Sequence, residues 1–120
     1  PPMIAGAGVE LFKMLEESDE LHSRLVENVE YFRAKMLEAG FDIKPTQSAI
    51  CAVMLYDAPL SQKFASAMAE EGIFVTGFYY PVVPAGQARI RVQLSAAHTQ
   101  HQLDRAIDAF IKVGKDLKVI

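Results

Sequence analysis

Apolar residues recur along this chain at two periods, and the change from one to the other divides it into helices and strands. Between Ser18 and Gly40, Leu21, Leu25, Val29, Phe32 and Met36 follow at steps of three and four. That spacing makes one stripe of an α-helix and leaves Glu27, Glu30, Arg33 and Lys35 toward water. Ser18 is the expected N-cap, Asp19 and Glu20 suit the positive end of the helix dipole, and Gly40 is the expected stop. The same period predicts an earlier helix from Met3 to Glu17, opened by Pro1-Pro2, with Ile4, Leu11, Met14 and Leu15 on its apolar face. A third helix is expected from Pro59 to Glu71, capped by Asp57, ended by Gly72, and turning Leu60, Phe64 and Met68 inward. A fourth runs to about Lys118 behind Thr99-Gln100-His101-Gln102, a capping box, and buries Leu103, Ala106, Ile107, Phe110 and Ile111.

The other period is that of strands. Phe41–Lys44 alternates, Ala49–Tyr56 is an apolar run of strand length whose two faces both need cover, and Ile73–Thr76 is a short strand. In Ala88–Leu94, Ile90, Val92 and Leu94 point one way and Arg89, Arg91 and Gln93 the other. The order helix, helix, strand, strand, helix, strand, strand, helix predicts an α+β domain, a small antiparallel or mixed sheet of three to four strands with helices packed on one face. Arg89 and Arg91 then share the uncovered face, about 6.7 Å apart along the strand. Behind them the loop Gly77–Gly86 is held in restricted conformations by Pro81 and Pro84. A fixed cationic face beside a stiff loop can hold an anion, and such a face looks toward a partner.

Composition sharpens this picture. The 120 residues fit one domain, and an apolar share of 51% suggests a second face to cover. No stretch has the roughly eighteen uncharged apolar residues of a membrane span. The net charge of −3, without a basic run, gives no footprint for nucleic acid or an anionic membrane. The single cysteine, Cys51, lies in an apolar strand, where an inert thiol and a reducing compartment are expected, the cytoplasm first and mitochondria left open. Opening on Pro1 without a leader, the chain reads as part of something longer.

Candidate chemistry is sparse. No Ser/His/Asp set, carboxylate pair or Cys/His cluster can be assembled, so no catalytic or metal-ligating residue is expected here. His98 is expected to be a loop histidine satisfied by backbone, and His101 a surface residue. None of Lys13, Lys35, Lys44, Lys63, Lys112, Lys115 and Lys118 has the desolvated setting of a Schiff-base lysine. The bare turn Ala5-Gly6-Ala7-Gly8 suggests close approach by another backbone. It is not a phosphate loop, since Leu11 stands in place of the third glycine.

The segments Gly72-Ile73-Phe74-Val75-Thr76-Gly77-Phe78, Tyr80-Pro81-Val82-Val83-Pro84, Gly86-Gln87-Ala88-Arg89-Ile90-Arg91 and Ser95-Ala96-Ala97-His98-Thr99 carry a resemblance, which extends through Phe32-Arg33-x-Lys35-Met36-x-x-Ala39-Gly40-Phe41 to the whole chain. It resembles the C-terminal domain of the α-oxoamine synthases, pyridoxal-phosphate enzymes of the aspartate-aminotransferase fold that join an amino acid to an acyl-coenzyme A. Within that family it is most similar to the members that condense glycine with acetyl-coenzyme A to 2-amino-3-ketobutyrate, a reaction run in reverse in threonine breakdown. The resemblance implies that residues 1–120 form a single C-terminal small domain and that the helix Pro1–Glu17 packs on a large domain outside the chain. That large domain would hold the pyridoxal phosphate with its lysine, so no cofactor-binding residue is assigned here and the chain alone would be inactive. The resemblance also implies a cytoplasmic homodimer. It gives Arg91 the substrate-carboxylate role and leaves Arg89 as an ion-pair or domain-contact residue. A sibling synthase using serine or alanine, or a longer acyl group, stays open, as does a free-standing carboxylate-binding or interaction module.

Overall fold

A computed structural model describes all 120 residues, Pro1–Ile120. The elements in chain order are α1 (Pro2–Glu17), α2 (Glu20–Ala39), β1 (Ile43–Lys44), β2 (Ile50–Tyr56), α3 (Ala58–Glu70), β3 (Thr76–Phe78), β4 (Ala88–Gln93) and α4 (Gln100–Asp116). The four strands form one sheet in the order β1-β2-β4-β3, antiparallel at every junction. This is the α+β architecture expected. β2, α3 and β3 make a split crossover unit: β2 and β3 run the same way, and β4 is inserted between them.

Alternation along the strands assigns the two faces. Cys51 pairs with Val92 and Val53 with Ile90, and these four join Phe32 and Met36 of α2, Phe64 and Met68 of α3, and Leu103, Ile107, Phe110 and Val113 of α4 in one buried cluster. Phe32, Phe41, Phe64 and Phe110 meet at its centre, with ring centroids 5.6–6.3 Å apart. Three helices therefore cover one face of the sheet, where apolar burial supplies the main stabilisation. No helix covers the other face.

The helix ends follow the side chains that cap them. Asp57 accepts the Leu60 amide at 3.0 Å. Thr99 Oγ1 accepts the Gln102 amide at 3.2 Å while Gln102 Oε1 accepts the Thr99 amide at 3.0 Å, completing the capping box. Gly40 stops α2 at φ 104°, a left-handed conformation that spares a glycine the Cβ clash, and the Phe41 amide returns to the Met36 carbonyl.

Four expectations shift. The cap of α2 is Asp19, one residue later than expected, without a side-chain bond to the helix; Ser18 Oγ accepts only the Glu20 amide at 3.4 Å. Leu21 is exposed, because the first turns of α2 precede the point where the helix meets the core. Arg33 is half-buried rather than solvated, donating from Nη2 to the Ser48 carbonyl at 3.3 Å. The strand expected at Ile73–Thr76 begins only at Thr76 and runs to Phe78. Gly72 turns the chain at φ 79° after α3, and Ile73–Val75 is spent reaching the sheet.

The first helix buries none of its residues. Met3, Ile4, Val9, Leu11, Phe12, Met14 and Leu15 are each more than half exposed, and no atom lies within 4 Å of a Cβ built on Gly6 or Gly8. The close approach by another backbone expected at these glycines is not made within this chain.

Candidate functional site

The uncovered face of the sheet is where the sequence placed its arginines. Lys44 pairs with Ala52, Ala52 with Arg91 and Arg91 with Thr76, so these residues form one row across all four strands. The neighbouring row holds Met54, Arg89 and Phe78. Strand alternation puts Asp42 on the same side, but its carboxylate accepts the Tyr56 hydroxyl, which holds that hydroxyl's proton and raises its pKa. Three cations thus share the face with one carboxylate that is already engaged.

The two arginines differ. Arg89 Nε donates to the Gln87 carbonyl at 3.1 Å, which folds its side chain back along the strand start. It makes no ion pair within this chain, so the contact expected of it is not supplied here; the ion pairs present are Lys35–Glu38 and Lys112–Glu71, both elsewhere. Arg91 is exposed, and its guanidinium carbon lies over the Phe78 ring, 5.5 Å from the centroid. Its side chain makes no hydrogen bond or ion pair within the chain, so its planar fork of N–H donors, a group that can take a carboxylate bidentately, is unspent.

Around Arg91 is a depression of about 300 Å³ lined by Phe74, Val75, Thr76, Phe78 and Gln93. A larger hollow of about 580 Å³ between α2 and α4 lies on the far side of the molecule, lined by Tyr31, Lys35, Asp104 and other helix residues. The hollow lacks a free arginine, and its central groups are already joined, Tyr31 donating its hydroxyl proton to Asp104. Chemistry favours the smaller site.

Local structure fixes the strand that carries Arg91. Gly77 has its space limited by α3: a Cβ there would lie 3.1 Å from the Ser61 carbonyl oxygen, so glycine lets the helix press on β3. The β3–β4 loop is tied by its own turns, with the Val82 amide donating to the Tyr79 carbonyl at 2.9 Å and the Gln87 amide to the Pro84 carbonyl at 3.0 Å. Tyr80 and Val82 project from it into solvent, 67% and 70% exposed. Beyond β4, His98 Nδ1 accepts the Ser95 amide at 3.1 Å, the backbone role expected of it. Asn28 of α2 donates to the Ser95 and His98 carbonyls at 3.0 and 3.1 Å, clamping the same loop. Nothing in the sequence marks Asn28 out from the other polar residues of its helix. Phe78 was equally hidden, since its meeting with Arg91 depends on the strand register.

Cys51 is fully buried on the helix side, away from the arginine face. Burial pushes its thiol up, against a smaller downward pull from the Arg33 guanidinium, so it stays protonated and unreactive. Lys44 is the one lysine in the strands of the sheet, exposed on a two-residue edge strand, and nothing desolvates it. The face thus presents an exposed guanidinium, Arg91, and an exposed ammonium, Lys44, while the one thiol is buried behind it.

The sequence model for "Aminotransferase class I and II" matches residues 2–110. Among curated proteins, the 2-amino-3-ketobutyrate coenzyme A ligase of Salmonella typhimurium is 52% identical over 99% of this chain and 30% of its own length. The 8-amino-7-oxononanoate synthase of Thermosipho melanesiensis is 49% identical over the same shares. Among solved structures, a serine palmitoyltransferase from S. paucimobilis with bound PLP–myriocin aldimine superposes with a TM-score of 0.79 at 30% identity, over 84% of this chain and 26% of that one. The chain spans about a third of the length of the relatives it matches.

Proposed function

The chain belongs to the class I and II aminotransferase family, on its α-oxoamine synthase branch, and from that premise we propose that it is the C-terminal small domain of an acyltransferase that condenses glycine with acetyl-coenzyme A. The products are 2-amino-3-ketobutyrate and coenzyme A, and the same enzyme runs the reaction backward in threonine breakdown. The carrying observation is Arg91, an exposed guanidinium without a carboxylate partner on a helix-free sheet face. Pyridoxal phosphate, the cofactor of this branch, supplies the electron sink for the substrate carbanion. The residues of this chain do not fit that group, so its lysine and phosphate contacts belong to a large domain outside residues 1–120.

What this chain contributes is binding and orientation. The fork of Arg91 takes the glycine carboxylate and fixes the α-carbon, so that a proton is removed and the thioester attacked from defined directions. Lys44 and Arg89 add positive potential over the same face, which favours approach of the substrate by its carboxylate end. Covering the face with the large domain removes water and strengthens the Arg91–carboxylate pair. The exposed apolar side of α1 is the second docking surface for that domain, and a homodimer in the cytoplasm is the assembly consistent with this reading.

A sibling reaction has its own support, since an 8-amino-7-oxononanoate synthase is nearly as similar as the ligase. Steady-state assays of the full-length enzyme with glycine, alanine and serine against acetyl- and longer acyl-thioesters decide between them. The proposal expects the highest kcat/KM for glycine with acetyl-coenzyme A. Preference for alanine or serine with a longer thioester assigns the sibling reaction instead.

A further inference from the structure

We infer that Phe78 is the positioning residue for Arg91, holding the guanidinium over its ring without a carbonyl or carboxylate taking up its donors, so that these stay available to the amino-acid carboxylate. The inference rests on the carboxylate role of Arg91 and deepens it. An arginine on an open sheet face has four side-chain torsions to fix, and a freely moving fork binds an anion at the cost of that freedom. Most devices that restrain an arginine consume its donors. Arg89 shows this on the same strand, because its Nε is already given to the Gln87 carbonyl. An acidic neighbour would go further and neutralise the charge the substrate needs.

An aromatic ring restrains differently. It attracts the cation through its negative face and requires no carbonyl or carboxylate to take up a donor. The sheet brings this about by register. Phe78 sits opposite Arg89 and Thr76 opposite Arg91, so the Phe78 ring is the diagonal neighbour of Arg91, a separation that aromatic and long side chains bridge. The ring is half-buried while the guanidinium above it is exposed, so the support is more fixed than what it supports. Its strand is in turn fixed from behind, where Gly77 admits the Ser61 backbone of α3 to close range. Thr76, directly opposite Arg91 and exposed, is short enough to leave the mouth of the depression open.

The test is steady-state kinetics of the full-length enzyme that carries this chain, with whichever of glycine, alanine and serine it turns over. Phe78→Ala is expected to raise the amino-acid KM about 3- to 30-fold, the range of a cation–ring contact. The acetyl-coenzyme A KM and the bound-cofactor absorption should not move, whereas a general loss of structure would shift both. Phe78→Tyr keeps the ring and should bring the KM back to within about twofold of wild type, while Phe78→Leu keeps bulk without a ring and should not. Rescue by leucine equal to that by tyrosine, or an unchanged KM in Phe78→Ala, overturns the inference. Arg91→Ala is measured alongside. If it leaves the amino-acid KM unchanged, the carboxylate role itself fails; if it raises the KM and Phe78→Ala does not, only the positioning role fails. In the double variant the two effects should not add, since Phe78 acts through Arg91.

Discussion

At the scale of single residues, environment rather than identity separates groups of the same type. Arg89 and Arg91 are indistinguishable by alternation, both facing away from the helices; one is folded onto a carbonyl and the other is left over a ring. Which arginine is free was not legible, because it depends on the register that sets Phe78 beside Arg91 and on the backbone turn that offers the Gln87 carbonyl. Cys51 was legible, since an apolar strand interior leaves a thiol little else to be. Its consequence is a pH dependence. The folded thiol titrates above its unfolded value of about 8.5, so its contribution to stability is whole below that pH and is lost as pH rises through the folded value. Urea midpoints at pH 7.5 and 10 should therefore fall more steeply in the wild-type chain than in Cys51→Ala. The tyrosines and lysine that also titrate high are common to both proteins and cancel. Equal slopes would mean that the thiol is not desolvated as described.

Elements were read most reliably where a cap and a period agreed. Asp57 and Thr99 both hold the amides assigned to them, and all four helices end within two residues of expectation. Strands fared less well where pairing, not pattern, decides the limits: Ile73–Val75 has strand composition but no ladder partner, whereas Gly77 has poor strand propensity and pairs with Ile90. Glycine inside α4 makes the same point about context. Helix propensity alone says that Gly114→Ala should stabilise by about 1 kcal/mol. The fold says otherwise, because a Cβ there would lie 2.7 Å from Phe41 Cζ, on a ring wedged against Phe64 and Phe110. Overpacking of that kind costs about 1–3 kcal/mol, so Gly114→Ala should lower the denaturation midpoint. A raised midpoint would show that the ring can yield.

At the scale of the whole molecule, two surfaces have no cover within this chain, the cationic arginine face and the exposed apolar helix α1. The apolar share of the composition predicts a further face to cover, and α1 presents exposed apolar side chains. The strand order β1-β2-β4-β3 was not legible, because nothing local tells β4 to insert between β2 and β3. A helix of 16 residues without tertiary contacts is marginal in water. In the 120-residue chain, α1 amides should thus exchange with solvent far faster than those of α4, and in the full-length protein they should be protected. Comparable protection of both helices in the isolated chain would remove the need for a docking partner.

The central claim is that this domain brings one free guanidinium to an amino-acid substrate. It is tested most directly by the glycine dependence of the full-length enzyme carrying Arg91→Ala, with cofactor occupancy checked by absorbance. Removing one partner of a desolvated charge pair costs about 2–5 kcal/mol, so kcat/KM for glycine should fall about 30- to 4,000-fold while the cofactor remains bound. A value within about twofold of wild type would contradict the assignment and place the carboxylate contact on another residue.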